Sequence, residues 1–256
     1  MYLDSVISMA AVAKKKVAFL ERSKIAYLIS SLLAGVYVGF GIVLIFSIGA
    51  PLAAANSVFL KLIMGASFGI ALTLVVFAGS ELFTGNNMFM TLGVARKEVS
   101  FLSLIKVWGW SWFGNLLGSL LLAYMVITSG AIDHAAVFIE KVSAAKMNMP
   151  ILQMFLRGIL CNWLVCLALW TASRTKSDAA KCILIFWCLF AFIGSGYEHS
   201  IANMTLLSLS LFAPHGVAVS WVGFATNLLW VTLGNIVGGS LFVAGMYWKA
   251  TQQEIE

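Results

Sequence analysis

An acid, a histidine, a serine and an asparagine lie close together in the stretch GYEHSIAN, residues 196–203. Apolar runs flank it on both sides, CILIFWCLFAFIGS at 182–195 and MTLLSLSLF at 204–212. Neither run alone has the roughly 20 residues that a helix needs to cross a bilayer, but the two together are long enough. The polar stretch is therefore predicted near the middle of a membrane, where an uncompensated charge costs several kcal/mol. Polar residues at that depth are candidates for function.

His199 is the residue of this stretch best suited to chemistry. A second polar stretch, GSELFTGNN at 79–87, matches the first at a constant offset of 117 residues, and Leu82 stands there in place of the histidine. A symmetric scaffold does not need a histidine in one copy only, which favours a role with a permeant over that of a hydrogen-bonded core histidine. Its near-neutral reference pKa would let His199 exchange a proton with a weak-acid anion. Thr84 offers a hydroxyl that could face the same point.

Glu81 and Glu198 are the only acids predicted well inside the membrane. One interpretation is a proton relay. The other is structural, with each carboxylate accepting hydrogen bonds from N–H groups freed where a helix breaks. Their equivalent positions in the two stretches favour the structural interpretation, and Asn86 and Asn203 are interpreted in the same way.

Apolar side chains and one lysine surround these stretches and allow two interpretations each. Phe68, Leu72, Leu82 and Phe83 could form hydrophobic constrictions, which block hydrated ions by dewetting, or could simply pack. Lys146, just before the fourth predicted span, could be an ordinary solvated lysine or could draw anions towards a pore. Both interpretations of Lys146 stay open.

The composition is that of an integral membrane protein. Of the 256 residues, 61% are hydrophobic and 10% are charged, whereas soluble domains have about 25% charged residues. The net charge of +6 does not indicate a nucleic-acid partner, because the charges cluster at the ends of apolar runs. The four cysteines lie inside apolar segments without a CxxC pattern, so structural thiols and no metal or cofactor are predicted: Cys161, Cys166, Cys182 and Cys188.

Six membrane spans are predicted, two of them interrupted at the polar stretches. They cover about 25–48, 59–95, 101–128, 150–172, 182–212 and 219–247. Residues 1–24 are predicted to form an amphipathic helix on the membrane surface, with its lysines near anionic head groups. The residues between the third and fourth spans are interpreted as a polar connection.

The chain contains an internal repeat. Besides the two polar stretches, Trp110, Gly114, Asn115 and Gly118 match Trp230, Gly234, Asn235 and Gly238 at an offset of 120. Two three-span copies follow, at 25–128 and 150–248, and an odd number of spans makes such copies inverted. Paired interruptions in inverted repeats indicate a permeation site at the midplane.

The lysines and arginines predict the orientation. With both termini on one side, that side holds twelve of the sixteen, and the other side holds only Lys61, Lys141, Lys146 and Arg157. The positive-inside rule then places both termini in the cytoplasm.

Several long motifs, in the same order along the chain, resemble the formate/nitrite transporter family. Their residues are most similar to those of its bacterial nitrite channel branch. They are LFTGNNMFMTLG (82–93), RGILCNWLVCLALW (157–170), GYEHSIANM (196–204) and NLLWVTLGN (227–235). The resemblance covers essentially the whole chain. It implies an all-α, aquaporin-like channel domain over 1–256, a homopentamer in the bacterial inner membrane, and one pore in each protomer for small monovalent anions of weak acids.

The resemblance also assigns roles to residues. It places the central histidine at His199, the threonine at Thr84, the outer lysine at Lys146 and the vestibule asparagine at Asn162. It implies an outer constriction of Phe68 and Phe192 and an inner one of Leu72, Leu82, Phe83 and Val165. Between them, His199 would donate a hydrogen bond or a proton to the anion, so that a transiently neutral acid passes the apolar rings.

Nitrite is the leading substrate, and formate or hydrosulfide is the alternative within the family, with protons and membrane lipid as further partners. A neutral-solute channel of the aquaporin type is a weaker alternative, because the Asn-Pro-Ala motifs of that class are missing. A membrane enzyme would need a metal or haem cluster. The chain has only three histidines, His134, His199 and His215, so no enzymatic activity is predicted.

Overall fold

The computed structural model describes residues 2–252, and all regular structure within this part of the chain is helical. Its α-helices are α1 Leu3–Arg22, α2 Lys24–Ala54, α3 Leu60–Ser67, α4 Ile70–Leu74, α5 Phe83–Ala95, α6 Phe101–Ser129, α7 Ala136–Met147, α8 Ile151–Ser173, α9 Asp178–Gly194, α10 Ser200–Phe212, α11 Trp221–Val237 and α12 Met246–Thr251. Two π-helical segments, Val75–Gly79 and Gly238–Gly245, continue α4 and join α11 to α12.

The second and fifth predicted spans are each interrupted at their polar stretch. Gly79, with φ of 78°, ends the first helical run, and the chain is extended at Ser80 and Leu82 before α5 begins. After α9, Gly196 has φ of 73°, and α10 begins at Ser200. Glycine adopts this left-handed backbone at no steric cost, so both copies place it where the chain must turn.

Five helices in the described residues are long and apolar enough to cross a membrane: Lys24–Ala54, Leu60–Gly79, Phe101–Ser129, Ile151–Ser173 and Trp221–Thr251. The fifth predicted span is divided into α9 and α10, of 17 and 13 residues, and each is shorter than a full crossing. The all-helical class is therefore confirmed.

The helix α2 extends six residues beyond its predicted end at 48, to Ala54, and passes through Pro51. Proline has no N–H, so the carbonyl of Ser47, one turn earlier, loses its usual donor. His134 Nε2 lies 3.2 Å from that carbonyl oxygen and takes the place of the missing N–H. A histidine 87 residues further along the chain thus compensates for the donor that Pro51 lacks.

The polar connection predicted after α6 is itself largely helical. It contains a 3₁₀ turn, Asp133–Ala135, and the twelve-residue helix α7. The sequence AVFIEKVSAAKM contains good helix formers, which accounts for the helix within this connection.

Two helix pairs pack closely through glycines. A Cβ on Gly118 of α6 would overlap the Leu32 carbonyl oxygen of α2, and a Cβ on Gly238, just after α11, would overlap the Ile159 carbonyl oxygen of α8. Small residues allow this close approach of backbones in a membrane. The two pairs, α2 with α6 and α8 with α11, occupy matching places in the two copies of the repeat.

The chain reversals define two faces. The terminal face carries α1 and the α5–α6 and α8–α9 connections, joined by contacts of Lys14 with Glu98 and Arg174 with Ser5. The distal face carries α7 and the α10–α11 connection, joined by the bond from the Gly216 N–H to Glu140.

The helix α1 buries one side against the rest of the molecule, with Val6, Met9, Ala10 and Ala13 at most 2% exposed. Lys16 points inward from this helix to Glu81. The prediction that the α1 lysines lie near lipid head groups is therefore wrong for Lys16.

Candidate functional site

His199 and Thr84 meet at the centre of the molecule. The distance from His199 Nε2 to Thr84 Oγ1 is 3.0 Å, and both residues are buried. His199 is the N-cap of α10, and its Nδ1 accepts the Ala202 N–H at 3.1 Å. With Nδ1 acting as an acceptor, the neutral ring carries its proton on Nε2 and donates it towards Thr84.

The two half-helices that follow the breaks begin at this point. Thr84 lies in the first turn of α5, and His199 caps the start of α10. Helix N-termini carry partial positive charge, so two of them converge near the His199–Thr84 pair. This arrangement favours a negatively charged or hydrogen-bond-accepting molecule between them.

A small apolar cavity adjoins His199. It has a volume of about 10 Å³, and its lining includes five of the six predicted constriction residues: Phe68, Leu72, Leu82, Val165 and Phe192. The rings of Phe68 and Phe192 are nearly perpendicular, with centroids 5.5 Å apart. A single water needs at least about 10–15 Å³, so this cavity has room for no more than about one water molecule.

Phe83 and Asn162 lie outside the lining of this cavity. Phe83 packs against Trp108, with ring centroids 6.4 Å apart, in a separate groove. Asn162 is fully buried and donates from Nδ2 to the carbonyl oxygens of Thr84 and Asn235, at 3.1 and 2.7 Å. Asn162 therefore holds the Thr84 backbone through its carbonyl oxygen.

A larger cavity, of about 680 Å³, opens on the terminal face beside α1. Lys16, Glu81, Asn86 and Lys181 contribute its charged and amide groups. Leu82 lines both this cavity and the small one next to His199. Leu82 therefore lies between this larger cavity, here called the terminal vestibule, and the small cavity beside His199.

Each broken helix holds a buried glutamate paired with a lysine. Lys146 Nζ lies 2.6 Å from Glu198 Oε1, and Lys16 Nζ lies 2.8 Å from both oxygens of Glu81. Asn203 donates to Glu198 Oε2 at 2.7 Å, and Asn86 donates to Glu81 Oε2 at 3.2 Å. Each lysine comes from a helix that precedes its copy of the repeat: Lys16 from α1 and Lys146 from α7. The correspondence between the two halves thus includes these preceding helices.

The backbone groups freed at the breaks bind two asparagines that sequence reasoning did not assign to the site. Asn115 accepts the Phe83 N–H at 2.9 Å and donates to the Glu81 carbonyl oxygen at 2.9 Å. Asn235 accepts the Ser200 N–H at 2.8 Å and donates to the Glu198 carbonyl oxygen at 3.0 Å. The prediction that the glutamate carboxylates accept these N–H groups is therefore wrong. The matching positions of the two asparagines, at the offset of 120, were the available signal.

Metal chemistry has no support in the described residues, which contain no group of three or more histidine, cysteine or acidic side chains placed to hold an ion. Cys161 and Cys166 are free and buried, and Cys182 and Cys188 are free and half-buried.

Comparison with known proteins identifies relatives over nearly the whole chain. Residues 4–249 match the profile of the formate/nitrite transporter family. The nitrite transporter NirC of Escherichia coli (strain K12) is 46% identical over 255 residues, covering 98% of this chain and 93% of the relative. The probable formate transporter of Methanothermobacter thermautotrophicus is 37% identical over 247 residues, covering 89% of each chain.

Solved structures show the same fold. A structure described as an FNT family ion channel matches with a TM-score of 0.92 and 45% identity, over 97% of this chain and 99% of its own. A structure described as a pentameric formate channel with formate bound matches with a TM-score of 0.77 and 28% identity, over 90% of this chain and 98% of its own.

Proposed function

The chain belongs to the formate/nitrite transporter family, and from this premise we propose that it conducts nitrite through a pore that passes His199. Members of this family are channels and transporters, not enzymes, and the chain is a multi-pass membrane protein. Nitrite is put first because the relative named as a nitrite transporter is 46% identical, against 37% for the probable formate transporter. Formate is the second candidate and hydrosulfide a further one.

The observation that carries the proposal is the His199–Thr84 pair between two helix N-termini, next to an apolar cavity. A bare anion cannot enter such a cavity, since its desolvation costs far more than apolar walls return. Hydrogen-bond donors and the positive ends of two helices offset part of that cost at one point. A weak acid whose anion takes up a proton from the adjoining solvent can cross the remaining apolar distance in its neutral form.

His199 acts in this scheme as a hydrogen-bond donor from Nε2. If the neutral ring gave its only N–H proton to the anion, an imidazolate would remain in a buried site. Proton transfer from His199 therefore requires a second proton on Nδ1, which would break the bond from the Ala202 N–H. Thr84 orients the anion through its hydroxyl.

Lys146 guides anions at the distal mouth. Its ammonium contacts Glu198 at 2.6 Å. An arriving anion competes with Glu198 for that ammonium, which gives the site an affinity that is weak enough for release. Lys16 and Glu81 form the equivalent pair at the terminal vestibule.

The protein is further proposed to assemble as a homopentamer in the bacterial inner membrane, with both termini in the cytoplasm. The likeness to a structure described as pentameric supports the assembly. The excess of lysine and arginine on the terminal face supports the orientation.

The test is anion uptake into liposomes containing the purified protein, with nitrite, formate and hydrosulfide compared across a range of pH. We expect nitrite uptake to fall at least about tenfold in His199→Asn, because that variant loses the Nε2 donor. His215→Asn is the matched control, since His215 is exposed on the α10–α11 connection. A His199→Asn protein that keeps both the rate and the pH dependence of nitrite uptake would contradict the role of His199. Faster formate than nitrite uptake would contradict the substrate preference.

A further inference from the structure

The two halves of the molecule differ in what packs against the half-helix that begins at each break. The segment Gly238–Gly245 beside α5 is π-helical, whereas residues 118–125, which match it at the offset of 120, lie within the regular helix α6. π-Helical turns are rare and occur frequently at functional sites. A Cβ on Gly239 would come within 2.8 Å of Asn162 Nδ2 and 3.0 Å of Asn87 Cβ. The π-helical segment therefore packs closely against both α5 and α8.

Asn87, in the second turn of α5, is bound to this segment and to α8. Its carbonyl oxygen accepts a hydrogen bond from Ser240 Oγ at 3.2 Å, and its Oδ1 accepts one from Asn162 Nδ2 at 3.1 Å. The same Asn162 amide lies 3.1 Å from the Thr84 carbonyl oxygen. One turn after Asn87, Thr91 Oγ1 lies 2.9 Å from Ser240 Oγ. The start of α5 is thus bound at several points to helices of the second half of the chain.

The half-helix α10 lacks counterparts of these polar residues. Met204 stands in place of Asn87 at the offset of 117, and Leu120 stands in place of Ser240 at the offset of 120. Met204 is fully buried, so a half-helix accepts an apolar side chain at this position. Asn87 is also fully buried, and its Nδ2 has no hydrogen-bond partner among the described residues, which is costly. Packing alone therefore does not explain an asparagine at this position.

We propose that Asn87 and Ser240 are positioning residues, which hold α5 where the Thr84 hydroxyl meets His199 Nε2. This inference rests on the proposed function, in which the His199–Thr84 pair meets the anion. Only α5 carries a hydroxyl to be positioned, because Ile201 is the counterpart of Thr84 at the offset of 117. A shift of α5 by about 1 Å would break the 3.0 Å contact between Thr84 and His199, since such bonds extend only to about 3.2 Å. Neither Asn87 nor Ser240 lines the cavity beside His199.

The contact between Thr84 and His199 can be measured without transport, by solid-state ¹⁵N NMR of the histidine-labelled protein in bilayers. The His199 Nε2 signal is the one lost in His199→Asn. Thr84→Val removes the hydroxyl, keeps the side-chain shape and should shift this signal. We expect Asn87→Met, which copies the residue of α10, to shift it in the same direction, and Ser240→Ala to shift it less. An unchanged signal in both variants would overturn the proposal.

A double variant tests whether Asn87 acts through Thr84. Adding Asn87→Met to Thr84→Val should leave the His199 signal where Thr84→Val alone places it, because the hydroxyl to be positioned is already absent. A further shift of equal size would contradict the positioning role. Ser208→Ala is the matched control, since Ser208 is buried and its hydroxyl donates within α10, to the Met204 carbonyl oxygen at 2.6 Å. This control should keep the wild-type signal.

Nitrite uptake into liposomes measures the consequence for transport. We expect uptake by Asn87→Met to be at least about fivefold slower than that of the wild type, because a misplacement of about 1 Å can lower a rate by up to about 100-fold. Ser208→Ala should equal the wild type. Wild-type uptake by Asn87→Met would overturn the positioning role. If the wild type itself takes up no nitrite, formate or hydrosulfide, the proposed function fails, and the NMR comparison still decides whether Asn87 and Ser240 position Thr84.

Discussion

At the scale of single residues, the Lys146–Glu198 ion pair compensates a buried negative charge. The Glu198 side chain is 2% exposed, whereas that of Lys146 is 18% exposed. The two partners therefore depend on each other unequally. Among the described residues, the Glu198 carboxylate contacts only Lys146 and Asn203, while Lys146 retains some contact with solvent.

This difference in exposure predicts which of two substitutions lowers the stability of the protein more. Lys146→Met should destabilise the protein by about 3–5 kcal/mol, because it leaves a buried carboxylate without its cation. Glu198→Gln should cost less, and the double variant Lys146→Met/Glu198→Gln should recover more than half of the loss. Chemical unfolding in detergent micelles measures these differences.

The exposed pair of Lys181 and Asp178 supplies the control. Lys181→Met should change stability by less than about 1 kcal/mol, as exposed pairs usually do. A Lys146→Met protein as stable as Lys181→Met would show that Glu198 is not held by its lysine. A double variant as unstable as Lys146→Met alone would lead to the same conclusion.

At the scale of elements, close contact between helix backbones sets the geometry of the site. The α2–α6 pair carries Asn115, whose side chain binds the first helix break, and the α8–α11 pair carries Asn235, which binds the second. An outward shift of α6 or α11 would withdraw these amides from the breaks. The glycines in the two pairs therefore position the start of α5 and of α10.

Gly118→Ala tests this dependence, because the new Cβ would overlap the Leu32 carbonyl oxygen of α2. We expect a loss of at least about 1–3 kcal/mol, the usual cost of overpacking, together with reduced nitrite uptake. Gly109→Ala, on the same helix, has no heavy atom within 4 Å of its Cβ. That variant should be neutral or more stable, since alanine favours helix over glycine. Equal behaviour of the two variants would show that the α2–α6 contact is not limiting.

At the scale of the whole molecule, the helices and the repeated motifs could be predicted from the sequence. Contacts between residues distant in the chain were harder to predict. Periodic apolar runs and matched glycines indicated the helices and the positions of both breaks. Lys16 and Asn115 were missed as site residues because their partners are 65 and 34 residues away. The helix α7 was missed because a short helix supported by tertiary contacts has a weak local signal.

The orientation of the whole molecule gives the last prediction. The lysines and arginines of α1, of the α5–α6 turn and of the α8–α9 turn share the terminal face, so this face should be cytoplasmic.

Single reporter cysteines test this orientation. Suitable positions are Val217, which is fully exposed on the distal face, and Gln252, which is exposed beyond α12. The background should carry Cys182→Ala and Cys188→Ala, because these two thiols are half-buried. In intact cells, a membrane-impermeant thiol reagent should label Val217→Cys, and it should label Gln252→Cys only after the membrane is opened. The reverse pattern would place Lys146 at the cytoplasmic mouth and Lys16 at the outer one, and would exchange their proposed roles.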